Sequence, residues 1–252
     1  MCVEGPPVTE TPDQTAPSFR SDMTVELVKH SAADTDVLWA ARVSTAGEAS
    51  LGEMDKDPER SKGLINYLMR DRHGSPFEHN SMTFLISAPL FVFREFHRHR
   101  VGWSYNEESG RYRELQPVFY VPDETRKLVQ QGRPGKYEFV AGTPAQHELT
   151  GRAMEDSYRQ AYETYQELLA AGVAREVARA VLPVGLYSSM YATCNARSLM
   201  HFLGLRTQHE QARVPSFPQR EIEMVGELLE GHWAALMPLT HAAFNANGRI
   251  AP

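Results

Sequence analysis

The segment FHRHRVGWSYNEESGRY, Phe96–Tyr112, has the most distinctive composition of the chain. Between Arg94 and Arg113 there are five arginines and three glutamates, whereas the 252-residue chain has a formal net charge of −6. The guanidinium group of arginine binds phosphate in a bidentate manner, and Gly102 and Gly110 allow the backbone to approach a ligand closely. The segment therefore predicts a site for an anionic, nucleotide-like molecule. A solvated loop with surface Arg–Glu pairs is the alternative interpretation.

Four motifs in the chain resemble, in order, those of the flavin-dependent thymidylate synthases (the ThyX family). The family signature is Arg-His-Arg, a short spacer, Asn-Glu and then Ser-x-Arg-Tyr, which RHRVGWSYNEESGRY matches. The other motifs are ARVS at Ala41–Ser44, HGSPFEH at His73–His79 and NARSLMHFLGLR at Asn195–Arg206. Eight residues separate Arg100 from Ser109, one more than is usual in the family. We therefore expect a bulge within Val101–Trp103.

The resemblance implies both a fold and a reaction. The fold is α+β, a single domain over residues 23–252 in which helices flank an antiparallel sheet. The reaction is methylation of dUMP to dTMP, with bound FAD, methylenetetrahydrofolate as the one-carbon donor and NADPH as the reductant. The resemblance also implies a homotetramer whose active sites draw on more than one subunit.

Individual site residues are implied by the same resemblance. FAD contacts are implied for Ser44, Arg98, His99, Arg100, Glu107, Asn195, Arg197 and His201. Contacts with dUMP are implied for Glu95, Arg98, Glu107, Ser109, Gly110, Arg111, Arg179 and Arg206. Arg206 and His73 are the implied catalytic residues, since Arg206 would stabilise negative charge on the uracil ring and His73 would lie beside the flavin and the folate. Glu95 stands where the family commonly has Gln.

Composition limits the class of protein. A hydrophobic content of 42% and a charged content of 23% are ordinary for a soluble domain, and no apolar run is long enough to span a bilayer. The start, MCVEGPPVTETPDQ, has neither the basic nor the apolar region of a signal peptide. Because Cys2 and Cys194 are far apart, we expect no disulfide and a cytoplasmic location. The acidic net charge argues against a nucleic-acid partner.

Two other chemistries can be weighed from spacing alone. His73, Glu78 and His79 suggest a zinc site, but the histidines are six apart rather than at the i, i+4 spacing of a helical pair, so we expect no metal. Cys194 precedes a helix start that could activate a thiol, but it ends an apolar strand, which favours a buried structural residue. Ser109 has no dedicated base in the sequence, so a binding role is expected.

The apolar pattern predicts secondary structure in outline. We expect a strand from about Thr24, another over Gly185–Cys194, and a helix capped by Asn195. Helical periodicity begins at Thr150 and ends near Gly172. A last helix should run from about Gln219 towards Phe244 and be followed by frayed residues. The proline-rich residues 1–22 predict a disordered tail, and residues 123–148 predict a long surface loop.

Two further functions remain open from the sequence. A family member that has lost turnover would bind flavin or nucleotide without forming dTMP. An RNA-binding module would use the Arg, Tyr and Trp side chains of Phe96–Tyr112 and would show salt-dependent affinity.

Overall fold

The computed structural model describes residues 16–51, 57–133 and 136–252. The helices are α1 Asp34–Ala46, α2 Pro58–Arg70, α3 Leu90–Phe96, α4 Pro144–Ala170, α5 Arg175–Ala178, α6 Ala196–Arg206, α7 Arg220–Leu236 and α8 Pro238–Ala246. The strands are β1 Ser18–Arg20, β2 Thr24–Ser31, β3 Ser81–Pro89, β4 Trp103–Glu107, β5 Val118–Tyr120, β6 Val129–Arg133, β7 Lys136–Val140 and β8 Tyr187–Cys194. Short 3₁₀ helices cover Gly47–Leu51, Ser75–Glu78 and Arg179–Val181.

The chain divides into two compact units, each formed by two segments. The larger unit comprises Asp22–Glu108 and Ser188–Pro252. The smaller unit comprises Ser109–Tyr187 and the described residues up to Ser21. The single domain predicted over residues 23–252 remains a prediction.

A four-stranded sheet in the order β2-β3-β8-β4 forms the centre of the larger unit. The β2–β3 and β4–β8 pairs are antiparallel, and Trp103 faces Cys194 in the second pair while Glu107 faces Met190. The α+β class with antiparallel pairing is confirmed. Because β4 and β8 are antiparallel, the segment that precedes Trp103 and the segment that follows Cys194 lie at the same end of this strand pair.

Two helices were predicted in the larger unit: one is confirmed, and the other is interrupted. Asn195 caps α6, since its Oδ1 accepts a hydrogen bond from the amide of Ser198 at 2.9 Å, and Leu199, Phe202 and Leu203 of that helix are fully buried. The last helix does not run unbroken, because Pro238 cannot continue the hydrogen-bond ladder and α8 starts there anew.

The residues after α8 are packed, which corrects the expectation that they fray. Arg249 is 3% exposed and the carbonyl oxygens of Ile250 and Ala251 accept hydrogen bonds from Arg72 at 2.6 and 3.1 Å. The chain here is therefore part of the folded unit.

In the smaller unit, α4 packs on the short parallel pair β1–β5. The ring centroids of Phe119 and Tyr158 are 4.9 Å apart, and Tyr165 is fully buried. Strand β1 lies inside the predicted tail, so the disorder prediction is wrong for Ser18–Arg20, which pairs with β5. Residues 1–15 of that tail lie outside the described residues.

Two predictions for the smaller unit are corrected. Helix α4 begins at Pro144 rather than Thr150, because Thr143 and Gln146 form a capping box in which the Thr143 amide donates to Gln146 Oε1 at 2.8 Å. The predicted loop over 123–148 contains the β6–β7 hairpin. The two strands are exposed and largely polar, so their sequence lacks the clear apolar–polar alternation that distinguishes a strand from a loop.

Candidate active site

The end of α6 and the end of α3 bring three predicted site residues together. Arg206 donates a hydrogen bond from Nη1 to Oε2 of Glu95, and a second from Nε to Nε2 of His99 at 3.1 Å. The side chains of Arg206 and Glu95 are 16% and 22% exposed. Since Nε2 of the neutral His99 ring accepts, its proton lies on Nδ1. Arg206 is thus held between a carboxylate and a neutral imidazole.

Burial sets the protonation of this cluster. Burial lowers the pKa of His99 to about 4, with further lowering by the positive charges of Arg206 and His201. Burial raises the pKa of Glu95, Arg206 opposes that shift, and the nearby Glu221 carboxylate adds to it. Oε1 of Glu95 is buried and has no hydrogen-bond partner among the described residues. The cluster therefore contains one buried carboxylate oxygen without a hydrogen-bond partner in the described part of the chain.

A cavity of about 370 Å³ lies beside this cluster in the larger unit. Its lining residues are Glu78, His99, Arg100, Val101, Trp103, Arg197, Ser198 and His201. Four of them, His99, Arg100, Arg197 and His201, are predicted FAD contacts. Burial lowers the pKa of His201, and the charge of Arg197 lowers it further, so this imidazole is neutral near pH 7. The two arginines supply the positive charge that a phosphate or pyrophosphate group needs.

Arg197 is oriented by the HGSPFEH motif. Its Nη1 donates to Oε1 of Glu78 at 2.5 Å, and its Nε donates to the carbonyl oxygen of Pro252 at 2.6 Å. A Cβ atom on Gly74 would lie 2.5 Å from Cζ of Arg197, so only glycine allows the guanidinium to lie this close to the backbone. The motif thus positions the Arg197 cation at the cavity. From the sequence alone, the motif indicated only a His/Glu pair near a ligand.

Val101 and Gly102, within the segment predicted to bulge, form a tight turn directly before β4. Gly102 has φ +68°, and a Cβ there would lie 2.0 Å from Oγ of Ser198. That hydroxyl donates to the carbonyl oxygen of Val101 at 3.0 Å. Strand β4 then pairs with β8 in continuous register. A turn therefore precedes the strand and packs against Ser198 at the start of α6, while the position of the additional residue stays a prediction.

Other predicted residues of the larger unit have different surroundings. Asn195 caps α6, Ser44 and Arg98 are exposed, and Glu107 is half-buried in β4. His73 is exposed, with its ring centroid 5.5 Å from that of Tyr67. These five residues are not among those that line the cavity.

Trp103 and Ser198 line the cavity but were not predicted as site residues. The indole Nε1 of Trp103 donates to the carbonyl oxygen of Ser198 at 3.4 Å, so the two side chains form one wall. The sequence drew attention to this segment only through the additional residue before the Ser-x-Arg-Tyr motif, which predicted a bulge within Val101–Trp103.

Four predicted dUMP residues lie in the smaller unit. The amide of Arg111 donates to Oγ of Ser109 at 3.4 Å, and a Cβ on Gly110 would be 3.2 Å from Cδ of Arg179. Nε of Arg111 pairs with Oε2 of Glu176 at 3.0 Å. Ser109, Gly110, Arg111 and Arg179 thus form a second cationic group, suited to a phosphate.

Several alternative chemistries can be examined directly. Across residues 16–51, 57–133 and 136–252, the structure contains no group of three or more His, Cys, Asp or Glu side chains that could hold a metal ion. Cys194 is 3% exposed and burial raises the pKa of its thiol, which confirms a structural residue. His209 lines a separate cavity of about 420 Å³ together with Phe217. No helix of the described chain has the length and apolar character needed to span a membrane.

An α+β unit that presents arginines and neutral histidines to one cavity defines a protein that binds a nucleotide-like anion. The family model "Thymidylate synthase complementing protein" matches residues 26–239 of the chain. The flavin-dependent thymidylate synthase of Streptomyces avermitilis is 85% identical over 246 residues, which cover 97% of this chain and 100% of the relative. That of Tropheryma whipplei strain TW08/27 is 58% identical over 94% of this chain and 98% of its own. The chain therefore belongs to the flavin-dependent thymidylate synthase family, as the motifs predicted.

Solved structures agree with this assignment. The UMP/dUMP methylase PolB from Streptomyces cacaoi, bound with 5-Br dUMP, superposes with a TM-score of 0.88 at 58% identity, over 93% of this chain and 99% of PolB. The same enzyme bound with 5-Br UMP gives 0.86 at 57% identity, over 94% and 99% of the two chains. The fold described above is that of a nucleotide methylase.

Proposed function

We propose that this protein is a flavin-dependent thymidylate synthase that methylates C5 of dUMP to give dTMP, with Arg206 as the group that stabilises charge on the pyrimidine. The observation that carries the proposal is the arrangement of Arg206, Glu95 and His99 beside a cavity lined by arginines and neutral histidines. Family membership supports the reaction, and the geometry supports the proposed roles of these three residues.

The cavity fits part of an FAD molecule. Arg100 and Arg197 would hold its pyrophosphate, and the planar Trp103 side chain with neutral His201 would contact uncharged parts of the cofactor. When bound, the flavin supplies hydride chemistry, which the protein positions and tunes. Ser44, Arg98, Glu107 and Asn195 remain predicted FAD contacts, outside the lining of this cavity.

Arg206 has the chemistry needed at the uracil edge. When C5 attacks a one-carbon electrophile, negative charge develops on the pyrimidine oxygens and N3, and a guanidinium held in place stabilises that charge without reorganising. Neutral His99 accepts from Nε of Arg206 and so fixes the guanidinium plane. Glu95, which accepts a hydrogen bond from Nη1 of Arg206, remains a predicted contact of dUMP. His73 remains a predicted catalytic residue beside the flavin and the folate.

The phosphate of dUMP is assigned to the arginines of the smaller unit. Arg179 lies next to Gly110, Arg111 follows it in the chain, and Ser109 adds a hydroxyl that accepts from the Arg111 amide. A phosphate dianion is best held by several guanidinium and hydroxyl donors together. We therefore assign Ser109, Gly110, Arg111 and Arg179 to the phosphate, with Arg98 and Glu107 as further predicted substrate contacts.

The remaining partners follow from the family. Methylenetetrahydrofolate would donate the one-carbon unit and NADPH would deliver the reducing equivalents. The active form would be a homotetramer in the cytoplasm. Gel filtration with light scattering measures the tetramer directly, and a monomer at working concentration would contradict it.

Release of tritium from dUMP labelled at C5 tests the activity. Purified protein receives FAD, NADPH and methylenetetrahydrofolate together, and parallel reactions omit one of the three. We expect tritium release coupled to dTMP only in the complete mixture, because the methyl group replaces the C5 hydrogen. Protein that holds FAD and dUMP but releases no tritium would contradict the proposal and indicate a family member that only binds.

A further inference from the structure

The larger unit contains a buried cation that the proposed site does not use. Arg249 is 3% exposed, and its guanidinium donates to both carboxylate oxygens of Glu230, at 2.6 and 2.8 Å. It also donates to Oδ1 of Asn245 at 2.7 Å. A buried charge persists in a protein when it is paired and hydrogen-bonded, and Arg249 meets that condition. One further contact links it to α6.

That contact is with Thr207, the residue that follows Arg206. Nη2 of Arg249 donates to Oγ1 of Thr207 at 2.9 Å, and the same hydroxyl donates to the carbonyl oxygen of Leu203 at 2.8 Å. Thr207 leaves α6 in an extended conformation, φ −130° and ψ 148°, and is 4% exposed. One hydroxyl therefore ties the last turn of α6 to Arg249.

The backbone beyond Thr207 is fixed as well. The hydroxyl of Ser216 donates to the carbonyl oxygen of Thr207, and the amide of Gln208 donates to Oε1 of Glu223 at 2.8 Å. Both the carbonyl oxygen and the amide of the peptide group between Thr207 and Gln208 are therefore hydrogen-bonded, which restricts the backbone at the end of the helix. These bonds hold the backbone that directly follows Arg206.

The backbone of Arg249 is itself strained. Its φ is +55°, a left-handed conformation that is unfavourable for a non-glycine residue. Its amide donates to the carbonyl oxygen of Phe244 at 2.9 Å, which holds the strained geometry. Strain of this kind persists where the surrounding structure requires a particular placement, and here it directs the guanidinium inward to Glu230 and Thr207.

The ion pair is present at any working pH. Burial alone would raise the pKa of Glu230, but hydrogen bonds from Arg249 and His241 outweigh burial and lower the pKa to about 2. Both members of the Glu230–Arg249 pair therefore stay charged near neutral pH.

We propose that Arg249 is a positioning residue for Arg206. The chain of contacts Glu230–Arg249–Thr207 holds the end of α6 so that the Arg206 guanidinium lies against Glu95 and His99. This inference rests on the proposed function only in giving Arg206 its role at the pyrimidine; the positioning itself is a statement about geometry.

The test compares Thr207→Val with Thr207→Ser in the flavin-loaded protein. Valine keeps the shape of the side chain but removes the hydroxyl, whereas serine keeps the hydroxyl. We expect Thr207→Val to lower kcat for tritium release by about 10- to 100-fold, with flavin content and KM for dUMP close to wild type. Thr207→Ser should retain wild-type kcat. Equal kcat in the two variants would overturn the inference.

A second readout does not depend on turnover. The charge of Arg206 lowers the pKa of His99, so a displaced Arg206 raises the pKa of that ring, which NMR titration measures. We expect the pKa to rise in Thr207→Val and in Arg249→Met, and to stay near 4 in Thr207→Ser. A lower melting temperature with unchanged kcat and an unchanged His99 titration would show a merely structural role. If wild-type protein releases no tritium, the proposed function fails, while this titration still decides the positioning.

Discussion

Arg206 carries the chemistry proposed for this protein, because it is the cation fixed between Glu95 and His99. We expect Arg206→Ala to lower kcat for tritium release by about 100- to 1000-fold, the usual effect of losing one donor that stabilises a developing oxyanion. Removing the cation leaves the Glu95 carboxylate half-buried without its partner. Turnover at the wild-type level in this variant would contradict the assignment.

The control for that prediction is Glu95→Gln/Arg206→Ala. It removes the unpaired carboxylate and so separates lost catalysis from lost stability. If Arg206→Ala fails only through misfolding, the double variant recovers both its melting temperature and its activity. We expect it to recover the melting temperature alone.

His99 gives a prediction that depends on charge alone. Its pKa of about 4 comes from burial first and from the charges of Arg206 and His201 next. Arg206→Gln keeps the burial and removes one charge, so we expect the pKa to rise while remaining below 6.5. NMR titration of the ring measures it. A pKa unchanged by the substitution would show that the two side chains do not interact.

At the residue scale, the sequence motifs name individual side chains but do not give the residues that those side chains contact. The motifs name His99, Arg197 and Arg206, and the structure places His99 against Arg206 and lines one cavity with His99 and Arg197. The contacts of Arg197 with Glu78 and Pro252 could not be predicted, since these residues are more than fifty positions away and meet only through the fold. Trp103 and Ser198 carry no pattern of their own.

At the scale of elements, the turn at Val101–Gly102 is the feature most sensitive to change. Gly102→Ala places a Cβ at φ +68°, 2.0 Å from Oγ of Ser198. We expect a loss of about 2 to 4 kcal/mol in the free energy of unfolding, together with weaker FAD binding, because Val101 and Ser198 line the cavity. Chemical denaturation and a flavin titration measure the two effects.

The double variant Gly102→Ala/Ser198→Ala separates the two causes of that loss. Removing the hydroxyl relieves the overlap but leaves the backbone strain, so stability should return only in part. Ser198→Ala alone serves as the reference. Full stability in Gly102→Ala would mean that the turn is not built as described.

Elements could be predicted where their signals are local. The cap of α6 and the strand β8 follow directly from Asn195 and from the apolar pattern. The start of α4 was misplaced because the Thr143–Gln146 box precedes the clear apolar stripe that begins after Thr150. The break between α7 and α8 was missed because apolar residues continue on both sides of Pro238.

At the scale of the whole molecule, buried ionisable groups make stability depend on pH. The folded pKa of His99 is about 4 against an ordinary 6.5, and that of Glu230 is about 2 against 4.5. At pH values between the folded and the ordinary pKa of each group, the unfolded chain binds more protons than the folded protein. The free energy of unfolding therefore falls as pH falls, from about 6.5 to 4 through His99 and from about 4.5 to 2 through Glu230.

Urea unfolding at pH 7, 5 and 3 tests this dependence. We expect each group to contribute about 1 to 2 kcal/mol after solvent screening is allowed for. His99→Gln should flatten the upper part of the curve and leave the lower part unchanged. Constant stability from pH 7 to 4 in wild-type protein would contradict the burial of a neutral His99.

The fold class could be predicted from the sequence as a whole, since four ordered motifs define it. The packing of the residues after α8 could not. They are short, they carry a strained Arg249, and their hydrogen bonds lead to Arg72 and Thr207, distant positions that no periodicity connects. Short segments of this kind gain their order from tertiary contacts alone.

The buried thiol of Cys194 can report how often the structure around it opens. It is the last residue of β8, pairs with Trp103 and directly precedes the Asn195 cap of α6, so a reagent reaches it only when this junction opens. In a Cys2→Ala background, the alkylation rate counts those openings, and its ratio to the rate of an exposed thiol gives their frequency. Slower alkylation with flavin present would report, without any turnover, how much the cofactor holds the junction closed.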